Sequence, residues 1–169
     1  MILRPDYINA ITPFIDAPLV KILAGVRRCG KSTIFEMLVQ EIKNKGVSPD
    51  NIIERKYNNP DYDDFTAKKM YTDLKDAIKE KGRCYLFLDE LQEISGWEKT
   101  VNSLMEDFDV DIYVTGSNSK LMSSEISTYL TGRYVLIPVY TLSFKEYLTF
   151  KSKNITKARE AFDEYVQYG

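Results

Sequence analysis

The chain has 169 residues, 44% of them hydrophobic and 28% charged, with a net charge of −2. That length supports one domain with a sizeable core, and the charge offers no global attraction for nucleic acid or an anionic membrane. No apolar run approaches the ~18 residues of a membrane span, and Met1-Ile2-Leu3-Arg4-Pro5-Asp6 has no cationic region followed by an apolar one, so neither an anchor nor a signal peptide is expected and the simplest location is the cytoplasm.

Residues 4–16 suggest a short helix and turn. Leu19 to Ala24 is a short, mostly apolar run suited to a buried strand. Gly25-Val26-Arg27-Arg28-Cys29-Gly30-Lys31-Ser32 follows and matches G-x-x-x-x-G-K-[ST], the pattern of a phosphate-binding loop. Its glycines let the backbone wrap so that N–H groups converge on a polyphosphate. The next helix contributes its N-terminal dipole and free donors. The candidate contact stretch therefore runs from Gly25 through Ser32 to Thr33. Lys31 is expected at the β- and γ-phosphates and the Ser32 hydroxyl on Mg²⁺. Arg27 and Arg28 would contribute mainly backbone. Ile34, Phe35, Leu38 and Ile42 recur at helical spacing, and Lys45-Gly46 marks the helix end.

Asn51 to Tyr57 reads as a second strand and Asn58 to Asp61 as a loop. Met70, Leu74, Ala77 and Ile78 predict an amphipathic helix within about residues 65–81. Cys84-Tyr85-Leu86-Phe87-Leu88 is an apolar strand running into Asp89-Glu90. In a parallel α/β sheet functional residues gather at strand C-termini. Asp89 is thus expected to orient Mg²⁺ beside Ser32, and Glu90 to polarise the attacking water; an acidic helix cap is the bland alternative.

Trp97, Val101, Leu104, Met105 and Phe108 form a helical stripe, and a fourth strand spans Val110 to Thr115. It ends in Gly116-Ser117-Asn118, where a polar side chain would hold the water or γ-phosphate; Asn118 is favoured over Ser117, against a plain turn. A short helix is expected over Leu121–Tyr129, then Thr131-Gly132-Arg133. Arg133 is a candidate arginine finger, in its own subunit or across an interface with a second copy. Tyr134 to Tyr140 reads as a fifth strand, and Pro138 within it removes a ladder donor, which predicts a sheet edge. Ser143 to Phe150 looks helical, as does Thr156 to Gln167.

Strands alternating with helices predict an α/β fold around a parallel sheet. There is no histidine, which removes His-based zinc sites and Ser–His or Cys–His pairs. Cys29 and Cys84 are expected at opposite ends of the sheet, ~20 Å apart, too far for a disulfide; free thiols suit a reducing compartment.

The succession G-V-R-R-C-G-K-S, Y-L-F-L-D-E-L-Q, V-T-G-S-N-S, Y-L-T-G-R-Y and P-V-Y-T-L-S-F-K-E-Y-L resembles a prokaryotic AAA-type P-loop ATPase family, over almost all of Ile22 to Gly169. The resemblance implies a three-layer αβα P-loop core with a five-stranded parallel sheet in the order 5-1-4-3-2. It implies ATP and Mg²⁺ as ligands, and ATP hydrolysis, with Lys31, Ser32, Asp89 and Glu90 on the family's site positions. Members usually carry a C-terminal domain of unknown function. The expected organisation is a lead-in over 1–18, the ATPase core over 19–142, and over 143–169 the helical start of a segment that continues past Gly169. The protein partner is not specified.

Alternatives share parts of this site. A nucleotide-dependent signalling switch with little turnover uses the same residues. A small-molecule kinase needs an acceptor pocket and usually an arginine-rich lid, whereas Arg55–Asp64 is aromatic and acidic. A GTPase would show N-K-x-D, and Asn44-Lys45-Gly46-Val47 lacks the aspartate. Lys151, Lys153, Lys157 and Arg159 form the best basic cluster, without the aromatic interleaving that suits base stacking, so a solvated helix face is preferred to a nucleic-acid site.

Overall fold

The computed structural model describes residues 4–78, 81–117, 121, 128–151 and 158–168. Five strands make one parallel sheet: β1 (Val20–Gly25), β2 (Ile52–Lys56), β3 (Cys84–Asp89), β4 (Val110–Gly116) and β5 (Tyr134–Val139). Their order is β2-β3-β4-β1-β5, which read from the other edge is 5-1-4-3-2, as expected. The described helices include α1 (Pro5–Ile11), α2 (Lys31–Asn44), α3 (Ala67–Ile78), α4 (Trp97–Asp107), α5 (Phe144–Phe150) and α6 (Ala158–Tyr168).

Central strands are apolar on both faces because helices cover both. The period of two sorts their side chains. Val20, Ile22 and Ala24 of β1, with Cys84, Leu86 and Leu88 of β3, share a core with Met70, Leu74 and Ile78 of α3 and Trp97, Val101 and Leu104 of α4. Leu23, Tyr85, Phe87 and Tyr113 face the other way, toward Ile34, Phe35, Leu38 and Ile42 of α2. There Phe87 stacks on Tyr113 with ring centroids 4.6 Å apart, and Phe35 meets Phe87 edge-on at 5.2 Å. The stripes expected on these helices are thus the buried faces.

β5 pairs with β1 alone, Pro138 lying opposite Ala24, so the proline sits at an edge as its missing N–H requires. Phe65, expected inside the third helix, instead precedes it in an aromatic cluster: its ring lies 4.8 Å from Tyr62, whose ring lies 5.0 Å from Tyr57. Tyr57 and Phe65 pack against the core, and Thr66 Oγ1 accepts the Lys69 N–H at 3.3 Å, capping the helix just after Phe65. Most of the helix expected over 121–129 lies outside the described residues, as does Asn118. Both cysteines are free and buried.

Candidate functional site

β1 ends at Gly25 and α2 begins at Lys31, so the intervening loop lies at the C-terminal edge of the sheet. The loop turns through two left-handed residues, Arg28 at φ 68° and Gly30 at φ 96°. Gly25 is required for a different reason: a Cβ there would lie 2.3 Å from the Val139 carbonyl oxygen and 2.6 Å from Cys29 Sγ. The loop is therefore pressed against the end of β5, and only a residue without a side chain fits. Val26, Arg27 and Arg28 are exposed, Cys29 and Lys31 buried.

Asp89 ends β3, two strands from β1. β4 lies between them and brings the chemistry together. The Ser32 hydroxyl donates to Asp89 Oδ2 at 2.9 Å across 57 residues of sequence. Thr115 Oγ1, on β4, donates a short hydrogen bond to Asp89 Oδ1 and accepts the Glu90 backbone N–H at 3.0 Å. Thr115 is fully buried and locks both acidic residues to one strand end. Sequence reasoning passed over it in favour of Asn118; a polar residue closing a buried apolar strand was the available signal.

Glu90 has φ 54°, a conformation costing ~1–3 kcal/mol for a residue with a side chain. The Thr115 bond, a Glu93 N–H to Glu90 carbonyl bond of 3.1 Å, and Gln92 hold it there. Gln92 Nε2 donates to Glu90 Oε2 at 2.6 Å and to Glu93 Oε1 at 3.2 Å. Its carbonyl oxygen faces Gly116, where a Cβ would stand 2.1 Å away. Gln92 is a second residue that sequence reasoning missed; its place follows from the left-handed turn at Glu90.

Lys31 Nζ donates to the loop's own carbonyls, Gly25 at 3.1 Å and Val26 at 3.2 Å, and lies 3.8 Å from Glu90 Oε1. It is 4% exposed. A cleft of about 480 Å³ opens beside it, lined by Arg27, Glu90 and Ser117 and by Tyr57 and Tyr62 of the β2–α3 loop. Burial raises the Tyr57 hydroxyl far above the usual tyrosine range, so it stays protonated at every physiological pH.

The expected residues divide clearly. Gly25 to Thr33, Asp89 and Glu90 come to one edge of the sheet. Arg133 does not join them. It precedes β5, its carbonyl accepts the Val20 N–H at 2.8 Å, and its guanidinium donates to Asn102 at 3.2 Å and Glu106 at 3.3 Å. Val20 opens β1, so Arg133 stands about a strand length, ~20 Å, from the loop of its own chain. Of the basic cluster, Lys151 pairs with Glu164 at 3.0 Å and Arg159 is exposed; Lys153 and Lys157 lie outside the described residues.

Among the described residues no group of three or more Cys, Asp or Glu side chains is arranged to hold a metal, and no helix is long and apolar enough to cross a membrane. A Ser–Asp pair nonetheless suits Mg²⁺, which keeps several waters and takes one or two protein ligands.

A family model described as an AAA domain matches residues 17–148. An uncharacterized protein of Haemophilus influenzae is 36% identical over 178 residues, covering 100% of this chain and 43% of the relative. An uncharacterized protein of Methanocaldococcus jannaschii is 34% identical over 160 residues, covering 89% and 35%. The chain spans less than half the length of these relatives. Among solved structures, a DNA polymerase III gamma subunit-related protein from Thermotoga maritima aligns with a TM-score of 0.59 at 11% identity, over 92% of this chain and 57% of that one. Cdc6p from Pyrobaculum aerophilum aligns with a TM-score of 0.60 at 10% identity, over 88% and 47%. At such identities the likeness concerns the fold, a P-loop core with helices on both faces of a parallel sheet. From the match over residues 17–148, the chain belongs to the AAA domain family.

Proposed function

We propose that the chain binds ATP with Mg²⁺ at the Gly25–Ser32 loop and hydrolyses it. The observation that carries this is the 2.9 Å bond between Ser32 and Asp89, since two residues 57 positions apart meet at one edge of the sheet in the pairing a Mg²⁺-nucleotide needs. Ser32 and Asp89 would hold the ion, which when bound supplies positive charge beside the β- and γ-phosphates. The Gly25–Thr33 backbone would cradle the phosphates. Lys31, now satisfied by two loop carbonyls, would exchange them for phosphate oxygens, a stronger charge-assisted bond. Glu90 would orient the attacking water and receive its proton. Soluble, cytoplasmic placement accords with the free thiols. A protein partner would feel the result.

A second proposal has its own observation. Gln92 and Lys31 already engage the Glu90 carboxylate. A nucleotide that leaves those contacts intact would be held without rapid turnover, and the protein would act as a switch. Arg133, if it is a finger, would serve the site of a second copy.

Titration with ATP and GTP, with and without Mg²⁺, tests binding. ATP is expected to bind only weakly without the ion, and Lys31→Ala to lose tight binding; retained affinity would sink the site assignment. Turnover of Glu90→Gln separates the two proposals. An active wild type that loses nothing on this change removes Glu90 as the water-orienting residue. A wild type that binds without turning over favours the switch.

A further inference from the structure

We infer that Arg4 is a positioning residue that couples the phosphate loop to the β5–α5 junction, so that nucleotide on one side is felt on the other. Arg4 lies outside every motif that marks the nucleotide site. It is nevertheless a buried charge, 3% exposed, and buried charges persist only when their donors are filled. Its Nη1 donates to the Cys29 carbonyl in the phosphate loop at 2.9 Å and to the Tyr140 carbonyl just past β5 at 3.0 Å. Nε donates to Glu146 Oε1 of α5 at 2.8 Å. The guanidinium rests on the Tyr7 ring, 4.4 Å from its centroid, and the Tyr7 hydroxyl accepts the Tyr140 N–H at 3.0 Å.

The Cys29 contact matters most. The Cys29 carbonyl and the Gly30 N–H belong to one trans peptide, so they point in opposite directions. Drawing the carbonyl out toward Arg4 aims the Gly30 N–H the other way, into the turn that would cradle phosphate. Gly30 is suited to this turn by its left-handed φ of 96° rather than by space, since a Cβ there would make only ordinary contact with Arg4 Nη1 at 3.6 Å. On the far side, Glu146 closes a capping box with Ser143 at the start of α5: Oε2 accepts the Ser143 N–H at 2.7 Å while Ser143 Oγ accepts the Glu146 N–H at 3.3 Å. One planar guanidinium therefore spans the loop, the end of β5 and the first turn of α5. Lysine, a point charge without the fork, cannot fill these positions together.

This inference rests on the nucleotide site proposed above. The experiment uses the intact protein, with Mg²⁺-ATP titration, thermal unfolding, and hydrogen exchange over residues 140–147. Arg4→Ala and Arg4→Lys are expected to weaken Mg²⁺-ATP binding by about tenfold, as preorganisation of one loop amide is lost. Glu146→Gln, which keeps Arg4, is expected to weaken it less, and its effect to vanish in the Arg4→Ala background. ATP is expected to slow exchange over 140–147 in the wild type and not in Arg4→Lys. Unchanged affinity in Arg4→Lys and Glu146→Gln, measured well below their melting temperatures, overturns the positioning role. Equal ATP protection of 140–147 in wild type and Arg4→Lys overturns the coupling. If Arg4→Ala does not fold, Arg4→Lys and Glu146→Gln decide alone. A wild type that binds no nucleotide removes the site itself and the coupling with it, whereas wild-type binding with Lys31→Ala defective and Arg4 variants normal removes the coupling only.

Discussion

Each end of the sheet contains a buried lysine beside an acidic residue, and the two ends are built differently. At the N-terminal edge, Lys21 is fully buried, donates to Asp111 Oδ1 through a short bond and to the Ala17 carbonyl at 3.0 Å. Asp111 Oδ2 also accepts the Tyr113 hydroxyl at 2.8 Å and the Asp16 N–H at 2.9 Å. The Tyr85 hydroxyl closes onto Asp16 at 2.7 Å. At the C-terminal edge, Lys31 stands 3.8 Å from Glu90 and leans on two loop carbonyls. The first pair is closed and anchors the lead-in segment to the sheet. The second is loose, and under the proposed function its lysine would trade neutral acceptors for an anion. Closed networks rigidify the core and are costly to break at one member, whereas open ones keep donors for a ligand.

The largest expected contrast comes from removing one member at each end. Lys31→Met is expected to lower Mg²⁺-ATP affinity by about a hundredfold or more, since each charge-assisted phosphate contact is strong, while the melting temperature stays within a few degrees of wild type. Asp111→Ala is expected to do the reverse. It leaves Lys21 charged and unpaired in the interior, at a cost of about 3–5 kcal/mol, with nucleotide affinity unchanged for the molecules that remain folded. Urea unfolding and nucleotide titration of both variants check this. An affinity loss in Asp111→Ala under folding conditions would break the division between the two ends.

Thr115→Val probes the link within the site and should have an intermediate effect. The methyl fits, but the Glu90 N–H loses its acceptor and Asp89 loses a donor. A stability loss of about 1–3 kcal/mol is expected from the unpaired buried groups, together with lower turnover as Glu90 leaves its left-handed conformation. A variant with normal turnover would show that Thr115 only braces the strand.

The smallest effect concerns pH. Burial pushes the Glu146 carboxyl up, but hydrogen bonds from Arg4 and Ser143 outweigh it and hold the group below its ordinary 4.5. The unfolded chain therefore binds this proton more tightly than the native one. The contribution to stability is present above the unfolded value and is lost as pH falls through the lower native one. Stability of the wild type should decline below about pH 4.5 more steeply than that of Glu146→Gln, measured by unfolding at a series of acid pH values. Parallel curves would show that Glu146 contributes nothing there.

Much of the fold was legible because its signals are local. Apolar runs ended by glycine or acidic residues marked β1 and β3, helical stripes marked α2, α3 and α4, and Pro138 assigned β5 to an edge. The phosphate loop and Asp89-Glu90 stood out because a tight phosphate cradle needs glycines at fixed spacing. Other parts of the site were hidden. Thr115 looked like the last residue of an apolar strand, Gln92 like a loop residue, and Arg4 like the charge before a proline. The roles of Thr115 and Arg4 depend on partners 25 and 142 residues away, which no local periodicity encodes, and that of Gln92 on the left-handed backbone at Glu90, two residues before it. Arg133 shows the converse. Its setting in L-T-G-R-Y suggested a catalytic arginine in its own subunit or across an interface, and strand direction carries it to the edge away from its own chain's loop, so only the role across an interface with a second copy is left to propose.

The sequence by itself determined the parallel α/β architecture, the loop that can wrap a phosphate chain, and the acidic strand end suited to a metal. Backbone conformational limits and hydrophobic periodicity act over a few residues, so they can be read in one dimension. Tertiary structure alone decided which polar residues meet. β4, inserted between β1 and β3, brings Thr115 to Asp89 and Glu90, and the packing of the lead-in against the end of β5 lets one guanidinium touch the phosphate loop and α5 together. Those contacts depend on strand order and burial, which make each buried polar group seek a partner far away in the chain.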